Sequence, residues 1–288
     1  MTGTAILCAV LSGAVFGLTV HIQRQGLDRV PALEGAFVSV LAMAVVYWAL
    51  APFFVDPDWV FSRATAVFIV GGLFLPALGQ RFQIAAISHV GPALTSALGS
   101  FTPLFAIVPA VLFLGEAPGP RVLAGAGVMI AGLVLAARPG RAGQVHFALW
   151  ALSIPLAAAA ARGLVQPITK TGIALGPSAF YAGLVYATVS SFVLAAMMRA
   201  SGAPVRPRLW GAGRGWFAVS GVLNGLGILL LGAALGLGQV SVAAPLSAAA
   251  PLWSLIYGAV IFRREELTRY HLWVAVLVVA GAGLVASG

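Results

Sequence analysis

The chain has 288 residues, 61% of them hydrophobic and 8% charged, with a mean hydropathy of +1.03. That is more apolar surface than a water-soluble core can hide, so an integral membrane protein is expected. The net charge of +9 and pI near 11 do not indicate a nucleic-acid partner, because the basic residues fall in short gaps between apolar runs and not on one solvated face.

The chain begins MTGTAILCAV and lacks the basic leader of a secretory signal, so its first apolar run is expected to span the bilayer. The single cysteine, Cys8, lies in that run. It supports neither a disulfide framework nor a metal cluster, and neither a metal nor a cofactor is expected. Runs of about 20 apolar residues then recur near 3–23, 33–52, 65–87, 91–114, 121–137, 146–171, 177–198, 215–236, 241–262 and 269–287. The expected fold is all-α, with ten transmembrane helices. Only Ser88, His89 and Val90 separate the third run from the fourth.

Arginine placement orients these runs. Alternate gaps hold Arg24 and Arg29, then Arg138 and Arg141, then Arg199, Arg206, Arg208 and Arg214, then Arg263, Arg264 and Arg269, eleven in all. The other gaps hold Arg63, Arg121 and Lys170. The positive-inside rule puts the eleven in the cytoplasm and both termini outside.

The first helix exit, GLTVHIQRQGLDRVP from Gly17, returns as GLVQPITKTGIALGP from Gly163. At one constant offset Gly17, Leu18, Ile22, Gly26 and Pro31 match Gly163, Leu164, Ile168, Gly172 and Pro177. In the fourth and ninth spans Pro103-Leu104 and Pro251-Leu252 sit at comparable depth, and Glu116 and Glu265 follow them. The chain therefore reads as a five-helix unit, residues 1–140, repeated over 141–288. Because five is odd, the second unit enters from the opposite side, giving a 5+5 inverted repeat within one membrane domain. Such a pair can open a shared site to each face in turn, with Gly17, Pro103, Gly163, Pro167 and Pro251 as hinge candidates.

This pattern, together with Leu114-Gly115-Glu116 closing the fourth span, resembles the drug/metabolite transporter superfamily, specifically its EamA-type exporters. The resemblance covers essentially the whole chain. The chain is most similar to the bacterial inner-membrane branch that exports aromatic and other amino acids. The resemblance implies a central cavity lined by helices one, three, four, six, eight and nine, with five and ten outside it. One departure is visible: Arg263-Arg264-Glu265-Glu266 stands where the first copy has Leu-Gly-Glu.

Polar residues inside apolar spans are costly and therefore candidate site groups. Arg162 lies eight residues before Lys170, too deep for a casual anchor, although snorkelling or a helix carbonyl would also satisfy it. Gln166 follows at i+4 on the same face, and Pro167 removes a backbone donor beside it. Gln80, near Pro76 and Gly79, is preferred to Arg81 as a cavity group. Ser100 stands among the span-four hydroxyls Thr95, Ser96 and Thr102, whose alternative role is helix packing. Asn224 is a lone amide in span eight. Phe101, Trp253 and Tyr257 offer an aromatic wall, with lipid or core packing as the competing role. His21 reads as an interfacial group.

All seven carboxylates lie in loops or at helix ends, which disfavours proton-coupled export of cationic drugs. A buried arginine suits a substrate with a carboxylate, such as an amino acid, moved by facilitated efflux. Phosphate-ester, nucleotide-sugar and drug transport remain alternatives within the superfamily. An intramembrane enzyme lacks its motifs here, and a channel would need a ring of like residues. The expected partners are the lipid bilayer and a small-molecule substrate, with a monomer expected and a dimer left open.

Overall fold

A computed structural model describes residues 3–99, 101–136, 149–205, 209–211, 213–262 and 269–287. Side chains at 91–94, 96–97, 133–136, 149, 269–272 and 274–275 are outside that description. Every regular element among the described residues is helical. This is the expected solution in lipid, where each backbone N–H and C=O must find its partner within the segment.

In chain order the helices are α1 (Gly3–Leu27), α2 (Ala32–Phe54), α3 (Arg63–Gly72), α4 (Gly79–Gly99), α5 (Thr102–Leu114), α6 (Pro120–Ala136), α7 (Ser153–Ala174), α8 (Ala179–Ala200), α9 (Arg214–Leu237), α10 (Val240–Ser247), α11 (Ala250–Val260) and α12 (Arg269–Ser287). Seven helical stretches are long and apolar enough to cross a membrane, counting 63–90 and 240–260 as one each. Shorter apolar helices cover Thr102–Leu114, Pro120–Gly132 and Val276–Ser287. Among the described residues seven stretches therefore reach full length against the ten expected, and the fourth expected run is divided between α4 and α5.

The boundary expected at Ser88–Val90 is also corrected, since α4 runs through it to Gly99. Ser88 Oγ and His89 Nδ1 both bond the Ala85 carbonyl, each at 2.8 Å, so these polar groups are satisfied on the helix itself. α4 ends at Gly99 and α5 begins at Thr102, with Pro103 in its first turn. An equivalent break at Ala248–Ala249 precedes Pro251 in the first turn of α11. Proline suits both places, because the first-turn N–H has no intrahelical acceptor.

A third break separates α3 from α4, where Leu75 has extended dihedrals (φ −136°, ψ 135°). Pro76 cannot donate to the Gly72 carbonyl four residues earlier. Ser190 of α8 fills that role, donating to the Gly72 oxygen at 2.6 Å and accepting from the Ala77 N–H at 3.1 Å.

The packing is reciprocal. α1 lies against α9, α10 and α11, and α7 lies against α3, α4 and α5. α2 pairs with α8, and α6 pairs with α12. Glycines set the closest approaches. A Cβ on Gly125 of α6 would meet the Gly281 carbonyl of α12 at 2.7 Å, and one on Gly281 would meet the Gly125 carbonyl at 2.8 Å. Such contacts need residues without side chains, because lipid supplies no hydrophobic force between helices and van der Waals fit must supply the attraction. Large apolar side chains such as Phe53, Leu112, Phe113 and Phe192 stay on the outer surface, as a bilayer-facing surface requires.

Candidate substrate cavity between α1 and α7

Between these helices lies a cavity of about 90 Å³. Among the described residues it is lined from α1, α4, α5, α7, α9, α10 and α11 and by Leu75, and receives nothing from α2, α6, α8 or α12. α7 contributes Arg162 and Gln166, α9 contributes Asn224, and α4 contributes Gln83. α1 contributes Phe16, Thr19 and Val20.

Arg162 Nη1 donates to Gln83 Oε1. Gln83 Nε2 donates in turn to Gln23 Oε1 of α1 at 3.2 Å. Arg162 is thereby held by neutral amides. Among the described residues the ion pairs are Lys170–Glu116 and Arg214–Glu34, and neither reaches it. Gln166 Oε1 and Asn224 Nδ2 are buried without a hydrogen-bond partner, in side chains 2% and 8% exposed. The cavity therefore offers a cation, an orphan acceptor and an orphan donor.

Of the residues singled out from the sequence, Arg162, Gln166, Asn224 and Pro251 line this space, as do Thr95 and Thr102 of the span-four hydroxyls. Gln80 does not. It is buried away from the cavity, with Nε2 donating to Ser39 Oγ at 3.1 Å, and one turn later Gln83 takes the lining position. Ser100 lies outside the described residues, as do Arg138, Arg141, Arg206, Arg208, Arg263, Arg264, Glu265 and Glu266. Phe101 is half-buried before α5 and does not line the cavity. Trp253 and Tyr257 stack on each other along α11 with ring centres 6.2 Å apart, and neither lines it. The aromatic wall comes instead from Phe16, which the sequence reading passed over. The signal was present: Phe16 lies 146 residues before Arg162, the offset that also relates Gly17 to Gly163.

The hinge candidates fall at tight contacts. A Cβ on Gly17 would meet the Ala250 carbonyl at 2.6 Å, and one on Gly163 the Thr102 carbonyl at 2.7 Å. Pro167 lies within α7 and leaves the Gly163 carbonyl without its i+4 donor. Among the described residues no group of three His, Cys, Asp or Glu could hold a metal. His21 is buried against α11, with Nε2 2.7 Å from the Ser254 carbonyl and 2.9 Å from its Oγ, and it stacks on Phe262.

At one end of α7, Lys170 Nζ lies 2.7 Å from Glu116 Oε1. The same carboxylate accepts from the Val240 and Ser241 N–H groups at 2.8 and 3.0 Å, capping α10. Burial pushes the Glu116 carboxyl upward, but the Lys170 bond and the two amides outweigh it and hold its pKa below the usual value of 4.5. The clasp joins α5, α7 and α10, and Gly115 makes its turn at φ 66°.

Helices with lipid-compatible surfaces thus surround a mostly apolar cavity that carries one cation and a few amides. The sequence matches the profile of the EamA-like transporter family over residues 3–138 and 148–287. The chain belongs to that family, and it is a multi-pass membrane transporter of the drug/metabolite transporter superfamily. A solved crystal structure is similar with a TM-score of 0.78 and 18% identity, covering 99% of each chain. At that identity the similarity establishes the fold. No curated protein matches the sequence.

Proposed function

We propose that this chain exports neutral amino acids, aromatic ones included, by alternating access of the Arg162 cavity. Residues 1–140 and 141–288 act as two inverted five-helix halves in a bacterial inner membrane, with both termini periplasmic and the chain working as a monomer. The two separate family matches and the reciprocal packing of α1 and α7 support the halves. The observation that carries the substrate reading is Arg162: a cation in an internal cavity, tied to Gln83 and lacking a carboxylate partner among the described residues. A substrate carboxylate supplies the missing charge, and Phe16 and Leu75 give its side chain an apolar wall.

The described lining contains no Asp or Glu, which supports facilitated efflux down the substrate gradient in preference to proton exchange. Counterflow of radiolabelled phenylalanine, threonine and a sugar phosphate in proteoliposomes tests the substrate class. Uptake of either amino acid, strongly reduced by Arg162→Gln, is the expected outcome. Uptake of the sugar phosphate alone moves the site to phosphate esters, and strict dependence on a proton gradient removes the facilitated mechanism.

A further inference from the structure

We infer that Gln166 Oε1 is the acceptor for a substrate's α-ammonium group and Asn224 Nδ2 a donor to its carboxylate, so the cavity selects zwitterions over the same molecules lacking the ammonium. This rests on the amino-acid reading above and adds the atoms that would impose it.

Three observations converge. First, both atoms are buried, unpartnered and on residues lining the same cavity. An orphaned buried polar atom weakens the fold, and binding sites keep such atoms where a ligand completes them. Second, several neighbouring polar groups are already committed, and the unpartnered Gln23 Nε2 beside Gln83 belongs to a residue outside the cavity lining. The Gln83 acceptor holds Arg162, and the Gln83 donor holds Gln23. The Thr102 and Ser247 hydroxyls donate to the Gly99 and Ala244 carbonyls at 2.7 and 3.0 Å. Gln166 thus carries an amide oxygen with no donor against it. Third, Gln166 sits at i+4 from Arg162 on α7, so an acceptor and a cation share one face.

The ligand chemistry follows. An ammonium has donors only and fits the Gln166 oxygen, while a carboxylate has acceptors only and fits Arg162 with Asn224 Nδ2. A phosphate ester brings anionic oxygens against the Gln166 acceptor and leaves it unpaired. A plain amine brings a second cation to Arg162. A site built to bond a polar group rejects the analogue without that group, because its own buried atom is then left unmet.

The test measures binding of six ligands to the purified full-length protein in nanodiscs. They are alanine, leucine and phenylalanine, each beside its des-amino partner: propanoate, 4-methylpentanoate and 3-phenylpropanoate. Wild type is expected to prefer at least one amino acid to its partner by about ten-fold or more, the factor set by one hydrogen bond to a charged group. Gln166→Met, which keeps the side chain's length, is expected to bring that ratio close to one. Asn224→Leu is expected to weaken both members of the pair in parallel and leave the ratio alone. Gln166→Asn draws the amide back by one methylene and gives the same sign should the methionine variant not fold. An amino-acid preference unmoved by either Gln166 variant overturns the inference while the amino-acid reading stands. Failure of wild type to bind any of the six overturns both.

Discussion

Gly17 of α1 and Gly163 of α7 make the same contact in opposite halves. Gly17 lies against the Ala250 carbonyl and the Trp253 Cβ, and Gly163 against the Thr102 carbonyl and the Phe105 Cβ. Further along, Gly26 lies under the Phe217 ring and Gly172 under the Phe68 ring. On the cavity side the likeness ends. Phe16 and Val20 of α1 stand where α7 has Arg162 and Gln166. Packing positions are held by the geometry both halves share, so they repeat. Lining positions diverge, giving an apolar wall facing a polar one, as the proposed asymmetric substrate would require.

The largest effect tests the shared part. Gly17→Leu and Gly163→Leu each force a side chain against a backbone carbonyl, which is expected to cost about 3 kcal/mol of stability. The two variants should lower the melting temperature in detergent by similar amounts, and a large difference breaks the equivalence of α1 and α7. The divergent part is tested next. Arg162→Gln is expected to weaken carboxylate-bearing substrates by about 2 kcal/mol, or roughly thirty-fold. Phe16→Leu at the matching position should alter side-chain preference and leave carboxylate dependence intact, as counterflow with a substrate panel would show.

The end of α7 gives a smaller effect. Glu116→Gln keeps the shape of the clasp and removes its charge, at an expected cost of about 1.5 kcal/mol at neutral pH. Because the folded protein holds the Glu116 pKa below 4.5, its contribution is present above that value and fades as the pH falls through it. Thermal melts of wild type and Glu116→Gln should differ at pH 7 and converge under acid. Smallest is Asn224→Leu, which replaces an orphaned donor by an apolar group of similar size. It is expected to raise stability by about 1 kcal/mol while lowering transport, and a loss on both measures would give Asn224 a structural role.

Legibility in the sequence varied by residue. Arg162, Gln166 and Asn224 stood out because a polar side chain in an apolar run has few cheap explanations. Gln80 and Gln83 are three residues apart in one helix, and only the break at Leu75 and the position of Ser39 decide which of them reaches the cavity. Phe16 gave no signal of its own, since a phenylalanine in an apolar helix is ordinary. Trp253 and Tyr257 suggested a wall because aromatic spacing cannot tell one helix face from another. The ion pair between Lys170 and Glu116 joins residues far apart in the chain, and no local pattern announces it.

The sequence by itself determined that this is a helical membrane protein, that its first helix exit recurs at a fixed offset, and that an arginine stands inside an apolar run of its second half. Composition, hydropathy and repetition are properties of the linear chain, so they need no fold to be read. The tertiary structure decided which breaks interrupt the helices, which amide faces the cavity, and which buried atoms are left unpartnered. Those outcomes depend on packing between helices distant in the chain, where contacts of a few ångströms choose among residues that composition makes equal.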